Sequence, residues 1–283
     1  MTIRRNARLD SSQVRDRRGI SAGKGVAVGG GLAGIVALVL VLLMGGDPSQ
    51  LTGALSGEQV GAGQENDLSA ECRTGADAAE RDDCRIIGYV NSVQAYWSQV
   101  VQGYQLAPTI FFSEGVNTGC GYADSSVGPF YCPPDGSIYI DLGFFDDLQS
   151  KFGAQGGPFA EAYIIAHEYG HHVQNLLGDL ESGGGSGAES ISVRTELQAD
   201  CYAGVWANHA VSTGYLEPIT GEQVAQALDA AAVVGDDRIQ QQTQGRVNPE
   251  SWTHGSSVQR QTWFRVGLDT GLPANCDTFN ADI

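Results

Sequence analysis

The chain has 283 residues, 42% of them hydrophobic, with 16 basic and 33 acidic side chains and a formal net charge of −17. That hydrophobic content suffices for one sizeable globular domain plus attachments, which excludes a chain disordered throughout. The sign of the charge excludes nucleic acid as a partner, because a nucleic-acid-binding domain turns basic side chains to phosphates.

Charge is divided unevenly along the chain. Residues 1–24 carry seven basic side chains (Arg4, Arg5, Arg8, Arg15, Arg17, Arg18, Lys24) against Asp10 and Asp16, which leaves 9 basic and 31 acidic groups for the rest. The run GVAVGGGLAGIVALVLVLLMGG, residues 25–46, contains no charge. As a helix rising about 1.5 Å per residue it would be roughly 33 Å long, close to the ~30 Å of a bilayer's hydrocarbon core. A transmembrane helix is therefore expected over 25–46. A buried core helix would be shorter, and a cleaved secretory signal would have a shorter apolar stretch followed by a small-x-small site. The basic flank makes 1–24 a cytoplasmic tail and sets everything after the span outside the cytoplasmic membrane. Gly30 and Gly34 form a GxxxG pair, which points to weak homodimerisation through the helix. Residues 47–67 are polar and glycine-rich without an apolar period and read as a flexible linker to a folded domain, 68–283.

All six cysteines (Cys72, Cys84, Cys120, Cys132, Cys201, Cys276) follow the span. An even number in an oxidising compartment predicts three disulfides, for which fifteen pairings exist. The local pairs Cys72–Cys84 and Cys120–Cys132 would leave Cys201–Cys276 to tie the C-terminus to the core. A zinc–cysteine site is the competing reading, but the sequence has no CxxC pair.

Within the domain, CRIIGYVNSVQAYWSQVVQGYQ (84–105) has apolar residues at helical spacing, whereas PTIFFSE (108–114) and SIYIDLGFF (137–145) have the β-branched and aromatic content of strands. Helices are expected around 158–177, 189–210 and 220–234, the last opened by a Thr220/Gln223 capping box and closed by Gly235. Gly178 suits the residue after the first of these helices. ESGGGSG (181–187) is a flexible connector.

The helix over 158–177 contains AHEYGHHVQ. His167 and His171 stand at i and i+4, so one turn places both imidazoles on one face, close enough to share an ion. Glu168 lies about 100° round the helix and is placed to reach a water on that ion. This is the H-E-x-x-H pattern, in which two imidazoles bind zinc and the glutamate is the general base. Gly170 costs roughly 1 kcal/mol of helix propensity relative to alanine, which indicates that a ligand or another backbone approaches there. Twenty-five residues beyond His171, Glu196 and Asp200 in ELQAD are again at i and i+4. Glu196 can supply the third ligand that a catalytic zinc requires, and Asp200 can accept the outer N–H of a ligating histidine. A solvated acidic face is the alternative, but the surrounding ISVRTELQADCYAGVWA is largely apolar, and buried carboxylates need partners. His172 points away from the two ligands and reads as structural or supporting. His209 closes its helix and suits the dipole there. His254 in SWTHGSS precedes a helix start at Ser256 or Ser257 and is the candidate for stabilising negative charge on a substrate carbonyl oxygen.

AHEYGHHVQ, ELQADCYAGVWA, THGSSVQRQTWF and the N-terminal VRDRRG together resemble the neutral zinc metallopeptidase family of bacterial membranes, a zincin-type group. The resemblance runs from the basic N-terminus to the end of the chain. It implies an α+β zincin-like domain, zinc as cofactor, His167, His171 and Glu196 as ligands, Glu168 as catalytic base, and peptides or proteins as substrates. Zinc so held lowers the pKa of its bound water towards about 7, and Glu168 takes the proton as the water attacks a peptide carbonyl. A second reading is a catalytically silent, membrane-anchored binding or assembly protein in which zinc staples two helices. The two differ at the fourth coordination position, which is closed in a structural site and open in a catalytic one. No further His or Cys stands close in sequence to fill it, which favours catalysis.

Overall fold

A computed structural model describes residues 3–20, 65–180 and 184–283. The expected span over 25–46, and the linker up to residue 64, lie outside the described residues. No described helix is long and apolar enough to cross a membrane.

Four helices build the core around the centre of interest. Helix α1 (Asp82–Val100) buries Ile86, Ile87, Tyr89, Val90, Val93 and Trp97. Helix α3 (Pro158–Leu177) starts with proline in its first turn, where the absent N–H has no intrahelical partner in any case, and ends on Gly178 in the left-handed conformation, as expected. Helix α4 (Ile191–His209) is capped by Ser190, whose hydroxyl accepts from the Val193 N–H. Helix α5 (Gly221–Val233) opens with the expected Thr220/Gln223 capping box. Two further helices follow, α6 (Asp236–Gln244) and α7 (Ser257–Thr270), the latter with its own Ser256/Gln259 capping box.

Glycine decides how closely α4 and α7 approach. A Cβ on Gly204 would lie 2.1 Å from the Phe264 carbonyl oxygen, and one on Gly267 would lie 1.9 Å from that of Cys201. These backbones therefore touch where any larger residue would separate them, and that contact carries Arg260 on α7 to Asp200 on α4.

Beside the helices lies a four-stranded sheet in the order β1 (Val14–Asp16), β2 (Thr109–Phe112), β6 (Ser137–Asp141), β5 (Phe130–Cys132). The β1–β2 and β2–β6 pairs are parallel and β5–β6 is antiparallel, so β5 forms an edge. A separate hairpin joins β3 (Gly115–Thr118) to β4 (Gly121–Asp124). The chain is thus α+β. The strand expected over 137–145 stops at Asp141, and Phe144 and Phe145 open a short helix, α2 (Phe144–Ser150), because Asp141 accepts from the Gly143 N–H and turns the chain. The disulfides are Cys72–Cys84, Cys120–Cys132 and Cys201–Cys276, the pairs expected.

The N-terminus departs from expectation. Residues 1–24 read as a tail separate from the domain, yet residues 3–20 are folded into it. Ile3, Ala7 and Val14 are buried in the same core as α1, and β1 is a strand of the main sheet. Burial of three apolar side chains and a full strand pairing outweigh the solvation that the basic residues enjoy from exposed positions. The domain also begins earlier than Leu68, since Asn66 bridges Asp16.

Candidate metal centre

α3 and α4 cross at Gly170, where a Cβ would come within 3.0 Å of both the Cα and the carbonyl oxygen of Ala199. That is the close approach anticipated from the glycine. With the helices so close, His167 and His171 face Glu196, and one nitrogen of each imidazole and a carboxylate oxygen all lie within 4.8 Å of one another.

Hydrogen bonds fix which nitrogen each histidine presents. His167 Nδ1 is 2.8 Å from Asp200 Oδ1, and His171 Nδ1 is 2.8 Å from Gln174 Oε1. The Gln174 amide in turn donates to the Thr195 carbonyl at 2.7 Å and to Gln198 Oε1 at 3.0 Å, so its oxygen is the atom facing His171. Both Nδ1 atoms therefore donate, and in the neutral rings both Nε2 atoms carry a lone pair. His167 Nε2 lies 3.2 Å and His171 Nε2 3.5 Å from the Glu196 carboxylate oxygens. Three acceptors converging in a largely buried site repel one another unless a cation stands between them. Two imidazoles and one carboxylate are a donor set that fits zinc. Among the described residues no other His, Cys, Asp or Glu joins the group.

The titration behaviour follows from this arrangement. Burial opposes charge on His167, but Asp200 and Glu196 prevail and raise it to about 10. Burial lowers His171 to about 4, with Glu196 acting against it. Glu196 is held well below its ordinary range: burial works against ionisation, but His171, His254 and His167 together prevail. Glu168 goes the other way. Burial, with Glu196 adding repulsion, pushes it up to about 7, while the backbone N–H of Tyr131 favours its ionised form.

Asp200 is the hub of the layer behind the histidines. It accepts from the Tyr163 hydroxyl at 2.5 Å and from Arg260 Nε and Nη2 at 2.8 and 2.9 Å, besides His167. Arg260 also comes within 3.9 Å of Glu196. The role of Asp200 against a histidine was legible in the sequence. Arg260 and Tyr163 were missed: Arg260 stands between Gln259 and Gln261 in a helix that also carries Arg265, and nothing in that pattern marks it as facing a buried carboxylate.

Tyr131, on the edge strand β5, was also missed. Its N–H meets Glu168, and its hydroxyl is held by Asn175 Nδ2 at 2.9 Å and lies 3.2 Å from His172 Nδ1. His172 Nε2 donates to the Gln105 carbonyl at 2.7 Å, so Nδ1 is the acceptor. His172 is thus structural, as expected, and what it secures is the strand beside Glu168. His254 has its Nδ1 3.3 Å from Asp236 Oδ1 and 3.0 Å from the Thr253 hydroxyl, and it is near enough to Glu196 for the two charges to interact. The loop that carries it is fixed by Asp236, which accepts from the N–H groups of Thr253, His254 and Gly255 at 2.8, 2.7 and 3.0 Å. His209 closes α4, stacks on Tyr96 and bonds the Gly271 carbonyl.

A family model described as "Putative neutral zinc metallopeptidase" matches residues 3–279. An uncharacterized protein of Mycobacterium tuberculosis is 58% identical over 224 residues, 76% of each chain. The uncharacterized protein YpfJ of Escherichia coli is 41% identical over 293 residues, covering 99% of this chain and 100% of its own. No solved structure matches.

Proposed function

The chain belongs to the neutral zinc metallopeptidase family, and from that premise we propose that it is a zinc-dependent endopeptidase in which His167, His171 and Glu196 hold the metal and Glu168 is the general base. The observation that carries the reading is the convergence of three ligand atoms, from the buried His167 and the part-buried His171 and Glu196, beside the buried carboxyl of Glu168. Three protein ligands leave a coordination position for water, where a structural site would have four. Zinc bound there supplies Lewis acidity and lowers the pKa of its water.

The chain's own residues do the rest. Glu168, beside the metal position, takes the proton of the attacking water and can pass it to the leaving amine. Asp200 and Gln174 hold the two imidazoles with Nε2 turned inward, and Arg260 keeps Asp200 ionised. β5, the last strand of the sheet, would offer an extended peptide a strand with which to pair, next to Glu168. His254 would steady charge on the carbonyl oxygen. Attachment to the cell membrane through residues 25–46, and any dimerisation there, rest on the sequence.

The test is Glu168→Gln in the full-length protein. Bound zinc should stay near one per chain, while cleavage of a peptide library falls by the ~10²–10⁴-fold typical of a lost acid–base group. His171→Ala should lose zinc and activity together. Undiminished cleavage by the zinc-loaded glutamine variant would refute the assignment. A wild-type protein that binds zinc and cleaves nothing would leave the stapled, catalytically silent protein in its place.

A further inference from the structure

Residues 3–20 form an arm that runs from the loop at Leu216 to the edge of the main sheet. The domain has recesses cut for it. A Cβ on Gly75 would lie 1.9 Å from the Arg4 carbonyl oxygen, and one on Gly88 would lie 2.8 Å from Ile3 Cδ1. Ile3 bridges Leu216, and Arg8 bridges Thr74, flanked by the hydrogen bonds Leu9 N–H to Arg73 O and Gly75 N–H to Ala7 O. Asn91 exchanges two hydrogen bonds with Asp10. β1 covers the edge of β2, whose four residues are all buried. Arg18 bonds Asp16 and also Asp83, a nearly buried carboxylate on α1. The family match itself begins at residue 3.

The arm's far end is fastened to the point where the described chain resumes. The Asn66 N–H donates to the Asp16 carbonyl at 2.8 Å, Asn66 Nδ2 donates to the Arg18 carbonyl at 3.1 Å, and Arg15 pairs with Glu65 at 3.0 Å. Residues 18 and 66 are therefore neighbours. One crossing of a bilayer between them would separate them by the ~30 Å of the hydrocarbon core. The docked arm and a single crossing by residues 25–46 exclude each other.

We propose that the N-terminal arm is an exported part of the domain, on the same, outer side of the membrane, and not a cytoplasmic tail. The outer side follows from the disulfides, since Cys72–Cys84 lies beside the arm's contact at Arg73 and needs an oxidising compartment. The basic flank then has a second explanation. Arg15 and Arg18 are matched to Glu65, Asp16 and Asp83, so their charge serves the fold as well as any membrane orientation. The inference does not depend on the catalytic reading.

The experiment uses the full-length chain in cells, with single cysteines at two exposed positions, Asn6→Cys in the arm and Val258→Cys in the domain, and a membrane-impermeant maleimide added before or after lysis. Both should label in intact cells, while the wild type, with all six cysteines paired, should not. Labelling of Val258→Cys in intact cells with Asn6→Cys labelled only after lysis would overturn the proposal, as would labelling of both only after lysis. Docking is read separately with Arg8→Cys/Thr74→Cys. The pair occupies a non-hydrogen-bonded antiparallel site, whose Cα separation of about 4.5 Å a disulfide can span. A peptide linked through positions 8 and 74 should appear in a non-reduced digest of cells without added oxidant, and its absence would overturn the docked arm.

Discussion

Asp200→Asn tests the layer behind the metal ligands through stability, where no catalytic assumption enters. Asp200 has no solvent exposure and takes four hydrogen bonds, from Tyr163, His167 and twice from Arg260. Asparagine keeps the size but not the charge, and its amide turns a donor towards donors. Arg260, 4% exposed, is left with Glu196 at 3.9 Å as its remaining carboxylate. Removing one partner of a buried ion pair costs about 3–5 kcal/mol. At roughly 2–4 °C per kcal/mol for a domain of this size, Tm should fall by about 6–20 °C in calorimetry of chelator-treated protein. The double variant Asp200→Asn/Arg260→Met removes the orphaned charge as well and should recover part of the loss. A single variant melting within about 2 °C of wild type, corresponding to less than ~1 kcal/mol, would refute the reasoning. So would a double variant that loses the sum of its two parts.

Gly170→Ala sets a methyl against backbone atoms of Ala199 that cannot swing aside. It should cost about 1–3 kcal/mol in urea unfolding and weaken zinc retention against a chelator, since α4 carries Glu196. Breaking Cys201–Cys276, which closes 75 residues, by Cys201→Ala/Cys276→Ala should cost about 2–5 kcal/mol by the same measurement. The pH dependence of the metal-free protein should show Glu168. Its folded carboxyl titrates near 7 against an ordinary 4.5, so between those values the folded state holds more protons than the unfolded and stability falls as pH rises. Glu168→Gln lacks that loss, so its urea midpoint relative to wild type should improve between about pH 5 and pH 8; an unchanged difference would place the ionised carboxylate in water.

Everything that depends on one turn of helix was legible in the sequence. His167 with His171, and Glu196 with Asp200, share a face by spacing alone, and the capping boxes and Gly178 mark helix ends through contacts at most four residues long. The disulfides followed from local pairing, which left a single remainder. The site's supporting groups were not legible, because their contacts are distant in sequence: Arg260 reaches Asp200 across 60 residues, and Tyr131 reaches His172 across 41. Nothing local distinguishes an arginine aimed at a buried carboxylate from one in water. The N-terminus shows the same limit with a different outcome. A basic segment before an apolar run carries one sequence signature, whether its charges stay with the cytoplasm or, like Arg18, meet an aspartate 65 residues away. That residues 3–20 dock on the domain was decided by shape, through the glycine recesses at Gly75 and Gly88 and the edge of β2 that β1 covers, and only the folded chain brings those together.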